Sequence, residues 1–282
     1  EAGWQRMPPD PFETSIPASS SRSTRRQPRP SLPSGGRGIR SNALILQLDG
    51  DDPDAEGAEL DRLARDGQPA IDNALQRQLQ AVTANLDPDR LDNVERLVPT
   101  DDDDLREALE RLLRESAGRG VRVTLEKLSQ IAVGVNWQLA NEAARTWAQQ
   151  YSYELVSRLS DSSRRMLQAA VSDWVGSGAP LDDLIARISA VFGPVRGEMI
   201  AVTEATRAYA EGSFTLYEQA GFNRRPVEAD RPPAHVRCRC WVSLAETDPG
   251  LWDYVWITAQ DELVCPICAP KHQTSIGFAG RR

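Results

Sequence analysis

The sequence predicts a mainly α fold: a helical body followed by a small α+β unit at the C-terminal end. Three observations predict it. Apolar residues recur at steps of three and four from about residue 68 to Ala220, the spacing that lines one face of a helix. Aromatics make up only 6% of the chain, so the core of that body is built from Leu, Ala, Val and Ile. After Gly221 the character changes, and prolines, cysteines and aromatics crowd together around short strand-like runs.

The length of 282 residues suits one large domain or two modest ones. No apolar run approaches the roughly 20 residues of a membrane span, and the longest candidate is Ala43–Leu48. No basic segment leads into an apolar stretch, as a secretory signal requires. The chain starts on Glu1 rather than Met, as a processed chain or a fragment does. The net charge of −8 is unevenly spread. Residues 1–40 hold seven Arg and three acids, whereas residues 41–104 hold five Arg and seventeen acids. Phosphate binding needs clustered cations, so only the first 40 residues suit contact with DNA unaided.

Four regions follow along the chain. Residues 1–48 form a Pro/Ser/Arg-rich arm whose composition cannot offset its ordering entropy. Its last residues, Leu44-Ile45-Leu46-Gln47-Leu48, read as an isolated strand or a docking peptide. Residues 49–104 read as an acidic linker with short helices, Asp49–Glu56 being solvated. Ile71, Leu75, Leu79, Val82 and Leu86 share one helix face that ends at Asp87-Pro88. The acids Asp101–Asp104 lack the Gly and distal Glu of a calcium loop, and suit the first turn of a helix capped by Thr100. Residues 105–222 form the helical body. Gly118 and Gly120 are expected to break its first helix, and Ser160-Asp161-Ser162 to break a later one. Val135, Leu139, Ala143 and Trp147 form an apolar stripe, Gly176–Pro180 a turn, and Gly221 a C-terminal stop after a helix from Arg196. Residues 223–282 form the last unit, with strands at Trp241–Leu244 and Tyr254–Thr258.

All four cysteines and both histidines fall within residues 235–272. One group is His235-Val236-Arg237-Cys238-Arg239-Cys240, and the other is Cys265-Pro266-Ile267-Cys268 with His272 beyond it. Thiolate and imidazole are the ligands of tetrahedral zinc, and a Cys-x-x-Cys turn presents two sulfurs to one ion. A unit with little core gains most from such a clip. Zinc therefore leads, held by Cys265, Cys268, His235 and one of Cys238 or Cys240, with His272 spare. Two disulfides, a redox Cys-x-x-Cys and metal-free thiols remain the alternatives. The fold class thus becomes a helical body with a zinc-stabilised C-terminal unit. A catalytic zinc site fits less well. The residue two after His235 is Arg237, where a nucleobase deaminase has Glu, and there is no H-E-x-x-H. No G-x-S-x-G or phosphate-binding P-loop occurs either, so a non-enzyme is expected.

Three stretches together resemble a known family. Glu198–Gly212 (Glu-Met-Ile-Ala-Val-Thr-Glu-Ala-Thr-Arg-Ala-Tyr-Ala-Glu-Gly) is similar to the helix motif of phage Mu F-like minor head proteins. Trp256–Cys268, ending Cys-Pro-Ile-Cys, resembles their next motif, and Pro232–Cys240, ending His-Val-Arg-Cys-Arg-Cys, resembles their last. These two blocks stand in the reverse of the family's order, which leaves a site dependent on convergence in space intact. The resemblance covers roughly residues 195–282. It implies a structural role in head morphogenesis of a tailed bacteriophage, bound to a portal or major capsid protein in the virion. It also implies an association with phage DNA, for which the basic arm is suited, and no membrane partner. The alternatives carried are a zinc-bearing nucleic-acid binder and the leading module of a polymorphic toxin. Glu204 and Arg207, three apart on one helix face, are read as an ion pair or a polar contact to the zinc unit.

Overall fold

The computed structural model describes residues 53–87, 90–91, 93–128, 135–259, 261 and 263–281. The arm over residues 1–48 and its apolar end therefore lie outside the described residues, as do Asp49–Asp52, Pro88 and Ile131. Among the described residues there are five α-helices and three strands: α1 Pro53–Ala84, α2 Asp103–Leu128, α3 Trp137–Ser177, α4 Leu181–Val191, α5 Pro194–Gln219, β1 Cys240–Asp248, β2 Leu251–Thr258 and β3 Thr274–Arg281. None of these helices is long and apolar enough to cross a membrane.

The first helix is longer than the sequence suggests. It starts at Pro53 rather than near residue 68, so residues 53–84 form one helix of the body in place of a linker with short helices. The reason is that its stripe continues upstream through Leu60, Leu63 and Ala64, all buried. Glu56, expected to be solvated, is 7% exposed. Its carboxylate meets the Lys127 ammonium from α2, and accepts from the Tyr209 hydroxyl of α5 at 3.1 Å. A cation and a hydrogen-bond donor offset part of the desolvation cost that would otherwise keep this acid in water. Downstream, Ile71, Leu75 and Val82 are buried as their spacing requires.

Helix α2 is capped by Asp102, not by Thr100: its Oδ1 accepts from the Leu105 N–H at 2.8 Å. The other carboxylate oxygen accepts from Gln78 of α1 at 2.7 Å. Leu105, Leu109, Leu112 and Leu113 are almost wholly buried, each contributing about 1.5–3 kcal/mol of transfer free energy. The helix runs straight through Gly118 and Gly120. At Gly120 a Cβ would come within 2.1 Å of the Tyr209 carbonyl oxygen, and at Gly212 one would come within 2.0 Å of the Ala117 carbonyl oxygen. Here glycine costs roughly 1 kcal/mol of helix propensity, but it lets two backbones touch. α2 is the central helix, packed on α5, α3 and α1.

Helix α3 likewise continues through Ser160-Asp161-Ser162. The Ser163 hydroxyl turns back to donate to the Leu159 carbonyl at 2.9 Å, which leaves the helix intact. This stretch admits the buried Arg196 of α5. Its guanidinium donates to Ser163 Oγ at 2.8 Å, to the Val191 carbonyl at 2.9 Å and to the Leu159 carbonyl at 3.2 Å. Burial lowers the Arg196 pKa to about 10. The stripe of Val135, Leu139, Ala143 and Trp147 is only half core: Val135 and Trp147 are partly buried against the core, whereas Leu139 is half exposed and Ala143 exposed, and Leu139, Ala143 and Trp147 border an open groove with Gln219. Ala140, Ala144 and Ala148 take the buried face instead, because small side chains let α3 lie close to its neighbours.

Helix α5 ends as expected. Gly221 has φ +92°, its N–H donates to Glu218 O at 3.0 Å, and the Phe222 N–H donates to Tyr217 O at 2.9 Å. This pair of bonds is a Schellman stop, which needs a left-handed residue at that position. The chain then builds the antiparallel sheet β1-β2-β3. Cys240 pairs with Thr258 at one end of β1, and Trp256 with Thr274 where β3 begins. Aromatics join the sheet to α5. Phe214 meets Tyr254 edge to face at 5.4 Å, and the Tyr254 hydroxyl donates to Phe222 O at 2.8 Å.

Candidate metal centre

Helix α5 seats the first ligand loop. Thr203 Oγ1 accepts from the Arg237 N–H at 3.0 Å, and Thr206 Oγ1 donates to the Cys238 carbonyl at 2.6 Å. Glu198 pairs with the Arg237 guanidinium at 3.0 Å. Arg237 itself has φ +60°, a left-handed turn that closes the loop so that the Cys238 N–H reaches His235 O at 3.2 Å. His235 and Cys238 are thereby turned to one side.

The second loop is a tight turn. The Cys268 N–H reaches Cys265 O at 3.1 Å and Cys265 Sγ at 3.3 Å, and the Ala269 N–H reaches Cys265 O at 2.9 Å. Its sulfurs close on the first loop. His235 Nε2 lies 2.8 Å from Cys265 Sγ and 3.2 Å from Cys268 Sγ, and the Cys238 and Cys268 sulfurs are 3.9 Å apart. The ligand atoms of His235, Cys238 and Cys268 all lie within 4.8 Å of one another, so this cluster could hold a metal ion, with Cys265 beside it. A tetrahedral ion with ordinary metal–sulfur and metal–nitrogen bonds sets ligand separations of about 3.5–3.8 Å. The observed distances bracket that range.

The imidazole is set for ligation. His235 Nδ1 lies 2.7 Å from the Val236 carbonyl, which can only accept, so the proton resides on Nδ1 and the Nε2 lone pair faces the sulfurs. The thiols are electrostatically coupled. Hydrogen bonds from Cys240 and then Cys268 pull the Cys238 thiol down to about 3, while the same contact pushes Cys240 up to about 12 and Cys268 upward. One sulfur takes the negative charge and its neighbours keep their protons, because like charges this close cannot all ionise. A cation would relieve that restriction.

Of the sequence-predicted ligands, His235, Cys238, Cys265 and Cys268 come together. Cys240 is buried beside them at the start of β1, within hydrogen-bonding reach of both Cys238 and Cys268. His272 is drawn elsewhere: its Nδ1 accepts from the Thr258 N–H at 3.2 Å and lies 3.1 Å from Thr258 Oγ1. All four cysteines are free thiols. Glu204 and Arg207 do pair, at 3.1 Å, and Glu204 also accepts from the Tyr151 hydroxyl of α3 at 3.1 Å.

Two supports escaped sequence reasoning. One is the seat of Thr203 and Thr206, whose signal is their spacing of three on a helix face. The other is Arg239, whose guanidinium donates to Asp61 of α1 at 2.6 Å through Nε and to Asp261 at 2.8 Å through Nη1. The Cys-Arg-Cys alternation is its signal, because it turns Arg239 away from the thiols. Compared with family models, with curated proteins and with solved structures, the chain matches none.

Proposed function

We propose that this chain is a structural minor head protein of a tailed bacteriophage whose C-terminal unit is clipped by one zinc ion. One observation carries the reading. The three stretches that resemble the Mu F-like family occupy one place in the fold: the α5 stretch seats the His235–Cys240 loop, and the Cys265–Cys268 turn closes on it. His235, Cys238, Cys265 and Cys268 are the proposed ligands, a donor set of soft sulfur and imidazole that suits zinc. The proposed work is binding without turnover, to a portal or major capsid protein, at the head interior or portal vertex of the virion.

The test is metal content and free-thiol count on protein purified without chelator, followed by capture of the portal protein. One zinc per chain, protected thiols and portal capture are expected. Four reactive thiols with no metal overturn the zinc assignment, and failure to capture portal or capsid protein overturns the head assignment. The basic residues 1–40 support a second reading as a nucleic-acid binder. That reading requires DNA affinity that falls steeply with salt and is lost with residues 1–40.

A further inference from the structure

We propose that Arg239 makes the docking of the first turns of α1 conditional on metal at the cysteine cluster. The inference rests on the zinc reading above and concerns what the site does to the rest of the chain. Arg239 stands between Cys238 and Cys240, whose buried thiols meet each other, while its own side chain, 11% exposed, turns to two acids. There it bridges Asp61, in the third turn of α1, and Asp261, in the segment that leads to Cys265. One guanidinium therefore ties together the helix and both loops of the cluster. The contact is close on the backbone side too. Gly57 abuts Ala259, and a Cβ at Gly57 would come 2.9 Å from that of Ala259. Ala259 follows β2 directly and is 1% exposed.

The physical argument is one of order. Arg239 can grip Asp61 and Asp261 together only while the two loops hold a fixed separation. Within the unit, few apolar groups fix the Asp261–Lys271 segment: Leu263 and Ile267 are 66% and 61% exposed. Metal bonds to Cys265 and Cys268 supply that order, as they do wherever a small loop-rich unit takes its stability from a bound ion. Without metal the Asp261 side of the bridge loosens and Arg239 is left with Asp61 alone, an exchangeable ion pair. The first turn of α1, just upstream, stays held by Glu56 with Lys127 and Tyr209. The expected response is therefore faster opening of residues 57–66, not loss of the helix.

The test is hydrogen exchange of the full chain, zinc-loaded and after chelation, alongside metal content. Exchange at 57–66 is expected to rise about tenfold on chelation, together with 235–242 and 263–272, while 105–117 is unchanged. Arg239→Gln is expected to retain one zinc per chain yet exchange quickly at 57–66 in both states, and Asp61→Asn to do the same. A zinc-loaded wild type whose 57–66 segment is indifferent to chelation overturns the coupling and leaves the zinc reading standing. A wild type that binds no zinc overturns both.

Discussion

The helical body and the C-terminal unit solve the same problem with different materials. The body is held by area. Leu105, Leu109, Leu112 and Leu113 of α2 are buried, and α2 and α5 approach until their backbones touch at Gly120 and Gly212. The C-terminal unit has a three-stranded sheet pinned to α5 by aromatics, and beyond it a loop region whose order comes from thiols, imidazole and ionic bridges. The difference teaches where each half is vulnerable. Area is lost gradually and by volume, whereas a ligand set is lost at a single atom.

The largest effect is expected from Cys268→Ser or from chelation. Either should abolish metal binding and unfold the loop region over residues 261–273, with the helical circular dichroism signal almost unchanged, because structural zinc sites carry on the order of 10 kcal/mol of folding free energy. Next is Gly212→Ala. A methyl placed against the Ala117 backbone has no flexible side chain to push aside, so destabilisation of about 3 kcal/mol or more is expected in chemical denaturation, with metal content retained in the folded fraction. Leu109→Ala should cost about 2–5 kcal/mol by cavity formation, again in the body and again without loss of metal. The smallest effect is a pH dependence. Burial depresses the His272 pKa below 6.5, and its Nδ1 must stay unprotonated to accept from Thr258. A base whose pKa is lowered by folding stabilises the fold above its unfolded value and withdraws that support as pH falls through the folded one. The melting temperature of the protein should therefore decline as pH falls below 6.5, and the decline should flatten in His272→Gln.

The same contrast explains what could be read in advance. α5 and its Gly221 stop, the strands at Trp241 and Tyr254, and the convergence of His235, Cys238 and Cys268, with Cys265 beside them, were legible because each depends on local spacing or on residue chemistry. The continuity of α2 and α3 was not. Gly118-Arg119-Gly120 and Ser160-Asp161-Ser162 carry the local signature of a stop, and only a partner helix turns them into contacts. The early start of α1 was hidden by Glu56, an acid in an acidic stretch whose cation lies 71 residues away. β3 was missed because Gly277 and Gly280 interrupt its apolar pattern, and pairing with β2 supplies what propensity does not. Cys240 could not be separated from Cys238 by spacing, since residues two apart fall on the same side only where the backbone is extended, and the turn at Arg237 decides where that begins.

The contacts of Gly120 with Tyr209 and of Gly212 with Ala117 set a tolerance for the packing of α5 on α2. Most helix pairs meet through side chains, whose rotamers absorb small misplacements as springs do. Here carbonyl meets α-carbon, and no spring is present. Any shift of α5 against α2 is therefore passed on undiminished to Thr203 and Thr206, a few residues away on the same rigid rod, and from them to His235 and Cys238. The place where His235 and Cys238 meet Cys268 is thus referred to a joint of backbone on backbone.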